Sequence, residues 1–348
     1  VSTSLFDSGF EIDPKKDLAN ELFQPFKVEH QLAIENSFVR AIRQAAPKKK
    51  VLLLDRGVLD DLLYSGQDLF ESILRSLGLS WADVRDKRYD AVLHLQTAAA
   101  LGNRYYTTAN NIKRTEDAPQ ARAKDSKTLE CWIGHRHLRF IPAMKNIDDK
   151  VALIWRHVCQ ILGIPKPLEI ERKYLVEYPN AYVLRHQAIP VAHEVFRVSQ
   201  SYLRPGPEGP ARIRVVQSLD HDGLMRYKTY KVKISARTRE EREEEINGRT
   251  YRQLSKQICR GTLEILKYRT CFMSDGQYFE LDEFSEPYQN LALLEIELLA
   301  EDDQVIPPPF LKVIREVTDD PRFSNRSISG LSLGKRGALK KKDLRKGK

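Results

Sequence analysis

The residues best suited to chemistry in this sequence are charged side chains two positions apart with an apolar residue between them. Glu169-Ile170-Glu171-Arg172-Lys173 opens the set. Residues i and i+2 of a strand share a face, so Glu169, Glu171 and Lys173 point one way and Ile170 and Tyr174 the other. Basic pairs follow: Arg212 and Arg214 around Ile213, Lys231 and Lys233 around Val232, Lys267 and Arg269 around Tyr268. Acidic pairs are Glu280 and Asp282 around Leu281 and Glu295 and Glu297 around Ile296, with Glu241 and Glu243 as a further candidate in the run Glu240 to Glu245. Rows of cations can clamp a multiply charged anion and stabilise a transferring phosphoryl group, and rows of carboxylates can hold hard metal cations through oxygen.

Any one such pair is what a half-wet strand looks like. A series of strands with one charged and one apolar face can either turn its charges outward on a sandwich or curl them inward around a water-filled tunnel, and periodicity does not choose between these. Segregation does favour the tunnel, since whole strands are basic and others acidic. The series begins after Gly163-Ile164-Pro165-Lys166-Pro167, a stiff connector in which each proline restricts itself and its predecessor. The domain boundary is placed there, giving residues 1–165 and 168–330.

The first part alternates differently. Leu18 to Ala46 reads as a helix with a break or kink at Pro25, and Val51 to Leu54 as a buried strand ending in Asp55-Arg56-Gly57. Further strands are expected at Ala91 to Leu95 and Leu138 to Ile141, with helices at Gln67 to Leu77, Ala118 to Trp132 and Asp148 to Leu162. Strands alternating with helices argue for a parallel α/β sheet, whose ligands bind beyond the carboxyl ends of the strands. Asp55 and Arg56 sit at such an end, where a carboxylate can hold Mg²⁺ or take a proton and an arginine can pair with phosphate. The alternative is an Asp that caps the next helix. Tyr105 to Lys127, with Arg114, Arg122, Lys124 and Lys127, has the composition of a phosphate-covering lid and equally of a solvated helix face.

Two resemblances sharpen these expectations. Leu54-Asp55-Arg56-Gly57, Thr97-Ala98-Ala99, Tyr105-Tyr106, Asn110-Asn111, Arg114-Thr115-Glu116, Ala121-Arg122, Asp125, Trp132-Ile133-Gly134-His135 and Leu162-Gly163-Ile164-Pro165 occur in an order that resembles the P-loop NTPase domain shared by the NadR kinase and the TRPL translocation defect protein family. That resemblance implies a nucleoside-kinase-like fold with Asp55 and Arg56 near nucleotide phosphates and Arg114 in the lid. No Gly-x-x-x-x-Gly-Lys-[Ser/Thr] occurs in the 348 residues, so the phosphate-cradling loop is expected to lie upstream, and this chain to bind nucleotide there poorly or not at all.

The second half resembles the CYTH domain of the triphosphate tunnel metalloenzymes, on the charged pairs above together with Gln200-Ser201-Tyr202-Leu203, Asp320-Pro321-Arg322 and Asn325 to Ser329 as a closing loop. The resemblance implies an eight-stranded antiparallel tunnel that binds inorganic or nucleoside triphosphate with Mg²⁺ or Mn²⁺. Lys173, Arg212, Arg214, Lys231, Lys233, Lys267 and Arg269 would hold phosphates. Glu169, Glu171, Glu280, Asp282, Glu295 and Glu297 would hold metal, with Glu169, Glu171 and Glu297 catalytic. A P-loop domain followed directly by CYTH resembles the TRPL family, which implies GTP or ATP and phosphoinositide binding in regulation or trafficking; the alternative is a metal-dependent triphosphatase.

Composition adds limits. With 41% hydrophobic and 30% charged residues the chain is ordinary for two folded domains, and its longest uncharged apolar runs are strand-sized. Cys131, Cys159, Cys259 and Cys271 form no Cys-x-x-Cys pair and read as reduced thiols of a cytoplasmic protein. Residues 335–348 carry a local +7 of the +9 net charge and read as a disordered tail, either solubilising or a foot on an anionic membrane such as a phosphoinositide surface. The tail lacks interleaved aromatics, which places nucleic acid last among its partners.

Overall fold

The computed structural model describes residues 17–47, 49–107, 116–165, 168–178, 191–207, 209–233 and 238–330. Its first half holds helices α1 (Asp17–Gln44), α2 (Gln67–Ser76), α3 (Ala118–Trp132) and α4 (Ile147–Ile161), with strands β1 (Val92–Leu95) and β2 (Leu138–Ile141). β1 and β2 pair in parallel, from Val92↔Leu138 to Leu95↔Ile141. Local chemistry sets the helix starts. Asp117 accepts from the Gln120 amide and Gln120 returns a bond to the Asp117 N–H, a capping box that opens α3, while Asn146 caps α4. Pro25 lies within a continuous α1, without the expected break.

The expected strand Val51 to Leu54 is not formed. It is irregular, with Leu53 74% exposed. Among the described residues β1 pairs only with β2, so this apolar run has no ladder to join.

The second half is a single antiparallel sheet of β3 (Leu168–Val176), β4 (His193–Tyr202), β5 (Ala211–Ser218), β6 (Leu224–Lys233), β7 (Thr238–Glu245), β8 (Ile265–Ser274), β9 (Gln277–Glu286), β10 (Leu291–Leu298) and β11 (Val313–Glu316), with helix α5 (Gly248–Ser255) after β7. Its order is β10-β9-β8-β4-β5-β6-β7-β3-β11, and β10 pairs in addition with β3 from Ala292↔Val176 to Leu298↔Ile170. Eight strands therefore curl until the last meets the first. The return seam is short. β7 meets β3 only from Leu168↔Glu240 to Ile170↔Thr238, and further along the same edge β3 is taken by β11, to which Arg172 is tied by its ion pair with Glu316. The sheet is thus a curled wall with a partly zipped seam among the described residues, not the fully closed barrel expected.

Two apolar clusters pack at opposite ends of this wall. Leu175, Tyr202, Ile265, Phe284, Leu291 and Leu293 pack with Val317, Phe323 and Ile328 of the C-terminal segment. At the other end Phe196, Val198, Met225, Tyr227 and Cys271 join Trp81, Ala82, Ile133 and Leu138 of the first half in one core. The turn before β2 is pressed onto that end. Gly134 has φ +96°, its N–H donates to the Tyr278 hydroxyl at 3.1 Å, and a Cβ there would stand 2.8 Å from Glu194 Cγ and 3.0 Å from the Phe196 ring. Nearby Arg85, fully buried, bonds Asp86 and Glu194 and lies over the Phe196 ring.

Because this core crosses between the halves, the two should unfold together. All three tryptophans, Trp81, Trp132 and Trp155, lie in the first half, so their fluorescence reports it, while far-UV circular dichroism reports both. In urea the two signals are expected to change together, and Phe196→Ala to cost roughly 3–5 kcal/mol. Separate transitions would contradict the shared core.

Candidate active site

Opposite residues of an antiparallel pair share a face, so the register assigns the interior strand by strand. On β3 the inner set is Glu169, Glu171 and Lys173; Glu297 stands opposite Glu171, and Glu295 opposite both Lys173 and Glu280. Asp282 is opposite Arg269. Arg212 and Arg214 stand opposite Thr229 and Tyr227, and Thr229 opposite Glu243. Apart from Lys231 and Lys233, the alternating pairs singled out in the sequence therefore fall on one face of the wall. Register also answers what periodicity left open: Glu241, Glu243 and Glu245 of β7 face inward, Glu240 and Glu244 outward.

The interior is a cavity of about 1370 Å³, lined by the inner residues of β3, β5, β8 and β10, by Glu241, Glu243 and Glu280, by the C-terminal segment and by Gly134 and residues 136–140 of the first half, with Asp282 buried behind its surface. Its charges are neutralised against one another. Arg269 makes a fork of two 2.7 Å hydrogen bonds to Asp282, a 3.0 Å bond to Glu295 and an ion pair with Glu280. Lys267 pairs with Asp282, which has no exposed surface, and Lys173 with Glu295 and, at 3.8 Å, with Glu171. Across the cavity Arg212 lies 3.5 Å from Glu241, and Arg214 and the Thr229 hydroxyl both donate to Glu243.

Burial and neighbouring charge shift these groups in opposite directions. Burial pulls the Lys267 ammonium down to about 8, against the attraction of Asp282. Burial pushes Glu280 up to about 6. For Glu295 burial is outweighed by Lys173, Lys267 and Arg269, which hold it well below the usual carboxylate range; for Glu243 it is outweighed by Arg214 and Arg136, which bring it to about 2.

Not every expected residue joins the site. Lys231 and Lys233 lie on β6, in register with Glu241 and Arg239, and their side chains fall outside the described residues. Arg114 and the tail 335–348 also lie outside them. Asp55 and Arg56 are exposed, Arg56 3.7 Å from Asp60 at φ +73°. Of the lid candidates, Lys124 is paired with Glu116, and Arg122 donates to Ala99 O and Asn103. Conversely, two residues not expected at the tunnel reach it from the first half. Arg136 donates to Glu243 at 2.8 Å and Arg139 pairs with Glu297.

The donors suit the expected Mg²⁺ or Mn²⁺ in chemistry, being hard carboxylate oxygens. Among the described residues, however, no three His, Cys, Asp or Glu side chains gather as a ready metal site. Mg²⁺ is commonly held by only one or two carboxylates together with substrate phosphates, and the facing pair Glu171 and Glu297 fits that arrangement.

Residues 14–149 match the family described as AAA domain. An inorganic triphosphatase of Nitrosomonas europaea is 42% identical over 59 residues, which is 16% of this chain and 38% of that protein. The chain joins an AAA-like first part to a second part related to a triphosphatase. Among solved structures, an inorganic triphosphatase is 29% identical over 48% of this chain and 96% of its own, with a TM-score of 0.31. A Hippeastrum protein described as having a dominant triphosphatase activity is 19% identical over 37% of this chain and 79% of its own, with a TM-score of 0.26. Strand order and register define the fold of the second half. These matches do not reach the two-domain TRPL family.

Glu280 makes the electrostatics testable. A carboxyl raised from 4.5 to about 6 on folding contributes stability that is present below about pH 4.5 and lost as pH rises through about 6. In EDTA, Glu280→Gln is therefore expected to lose less stability than the parent between pH 4.5 and 7, read as Tm against pH. Parallel curves would show that Glu280 is not raised.

Proposed function

We propose that the second half is a metal-dependent triphosphatase that takes inorganic or nucleoside triphosphate into the curled sheet. The observation that carries this reading is the collection of Lys173, Arg212, Arg214, Lys267 and Arg269 on one inner face with Glu171, Glu280, Asp282, Glu295 and Glu297. The sequence match to an inorganic triphosphatase supports it and favours it over a regulatory, phosphoinositide-binding role. Assignment to the TRPL family and nucleotide binding by the first half belong to that second reading, which has no comparable support in the described residues.

In this reading the anion enters by exchange. Phosphate oxygens take over the groups of Arg269, Lys173, Arg212 and Arg214 that Glu280, Glu295, Glu241 and Glu243 neutralise, while Lys267 and Arg269 keep Asp282. The released carboxylates stay inside, where Glu171 and Glu297 would hold Mg²⁺ or Mn²⁺, with Glu169 beside them on β3. The metal supplies charge neutralisation of the phosphates and polarisation of a water. Arg269, in a fork with Asp282, is already oriented, so it can stabilise charge on the transferring group without reorganising. Asp282, fully buried between Lys267 and Arg269, acts as the fixed counter-ion that keeps both side chains aimed inward.

Phosphate release from tripolyphosphate, ATP and GTP with Mg²⁺ or Mn²⁺ tests the proposal. Release is expected with at least one of them, and Glu297→Ala or Arg269→Ala is expected to lower kcat/KM about a hundredfold or more. No release from any of the three, or release indifferent to both changes, would remove the proposal.

A further inference from the structure

We propose that Arg136 and Arg139, from the turn before β2 and from β2 itself, belong to the anion-binding set of the tunnel, so that the first half completes the triphosphate site. The inference rests on the triphosphatase reading and extends it to residues outside the curled sheet.

The first ground is equivalence of position. Lys173, Arg212, Arg214, Lys267 and Arg269 are each paired with an inner-face carboxylate, and Arg136 and Arg139 are paired in the same way. Glu243 is shared by Arg214 of the wall and Arg136 of the first half, and both guanidinium groups also stand over one face partner, the Tyr227 ring, at 5.7 Å and 5.2 Å. Arg139 holds Glu297, the carboxylate that would turn to the metal when the site fills. Were Glu297 to hold a metal, Arg139 would be released inside a cavity that Arg136 and Arg139 both line.

The second ground is unspent hydrogen-bonding capacity. Arg136, Arg212 and Arg214 each leave a buried Nε–H with no acceptor among the described residues, although their terminal nitrogens are paired. A buried donor left unmet is costly, and an anion with many oxygens can meet several at once. Thus Arg136 shares this feature with two wall arginines of the candidate site.

The third ground is that the two arginines are held in place. Gly134, two residues before Arg136, is fixed by Tyr278, and Gly276 of the β8–β9 turn would bring a Cβ within 3.2 Å of the Phe140 ring next to Arg139. The segment between is clamped at both ends by the sheet whose interior it enters.

The test uses the full chain with tripolyphosphate and Mg²⁺. Arg136→Gln and Arg139→Gln are each expected to raise KM about tenfold, with the lysine variants recovering part of the loss and Tm showing that the variants are folded. A second measurement needs no variant: in arginine modification by phenylglyoxal, mapped by mass spectrometry, tripolyphosphate should protect Arg136 and Arg139 along with Arg214. If the folded variants keep the parent KM, or if Arg214 is protected while Arg136 and Arg139 are not, the two arginines only join the halves and the inference is overturned. If the parent chain neither hydrolyses tripolyphosphate nor shows any arginine protected, the triphosphatase reading itself falls, and this inference with it.

Discussion

The structure depends on the rule that a charge taken out of water must be matched where it is buried. Asp282 has no exposed surface and Lys267 almost none, and a lone carboxylate or ammonium in that position would be prohibitively costly. The curled sheet meets the rule by placing strands of opposite charge within reach of each other. The acidic β9 stands beside the basic β8 with the acidic β10 beyond it, and the acidic β7 beside the basic β6 and, across it, β5. Each cation finds a carboxylate across one or two strands. The same arrangement makes the interior a reservoir of charged groups that can be exchanged for a phosphate anion and a metal without leaving any of them alone.

This constraint extends into the first half. The apolar residues at one end of the wall, Phe196, Val198, Met225 and Tyr227, are completed by Trp81, Ala82 and Ile133 and not by the sheet itself. The buried Glu194 at that end and the largely buried Glu243 are likewise completed by Arg85 and Arg136, and the exposed Glu297 pairs with Arg139. The first half therefore serves the second as a wall in both apolar and electrostatic terms, whatever nucleotide chemistry its AAA-like sequence is capable of. The described part of that domain holds two parallel strands, and Asp55 and Arg56 stand exposed on a turn.

The interior was legible in the sequence because strand periodicity is 2 and the charges obey it: Lys267 and Arg269, Glu280 and Asp282, Glu295 and Glu297 each needed only a strand to share a face. Helices α3 and α4 stand where helical stretches at Ala118 to Trp132 and Asp148 to Leu162 are expected from the sequence. What failed was long-range. Val51 to Leu54 has the composition of a buried strand, but strand formation requires a neighbour, and composition does not supply one. The choice between Glu241 and Glu240 depended on register with β6, which a run of consecutive charges conceals. Arg136 and Arg139 were invisible as site residues because their contacts, Glu243 and Glu297, lie more than a hundred positions away. In hindsight, His135-Arg136-His137-Leu138-Arg139 is a basic run leading into an apolar strand, the only signal that the sequence offered.

The central claim is that the inner face of the curled sheet is one binding site for a triphosphate, and calorimetric titration of tripolyphosphate into the full chain tests it most directly. In Mg²⁺, saturable binding of one tripolyphosphate per chain is expected, lost in a folded Arg269→Ala variant and unchanged in Arg56→Ala. Absence of saturable binding, or binding that survives Arg269→Ala and disappears with Arg56→Ala, would contradict it.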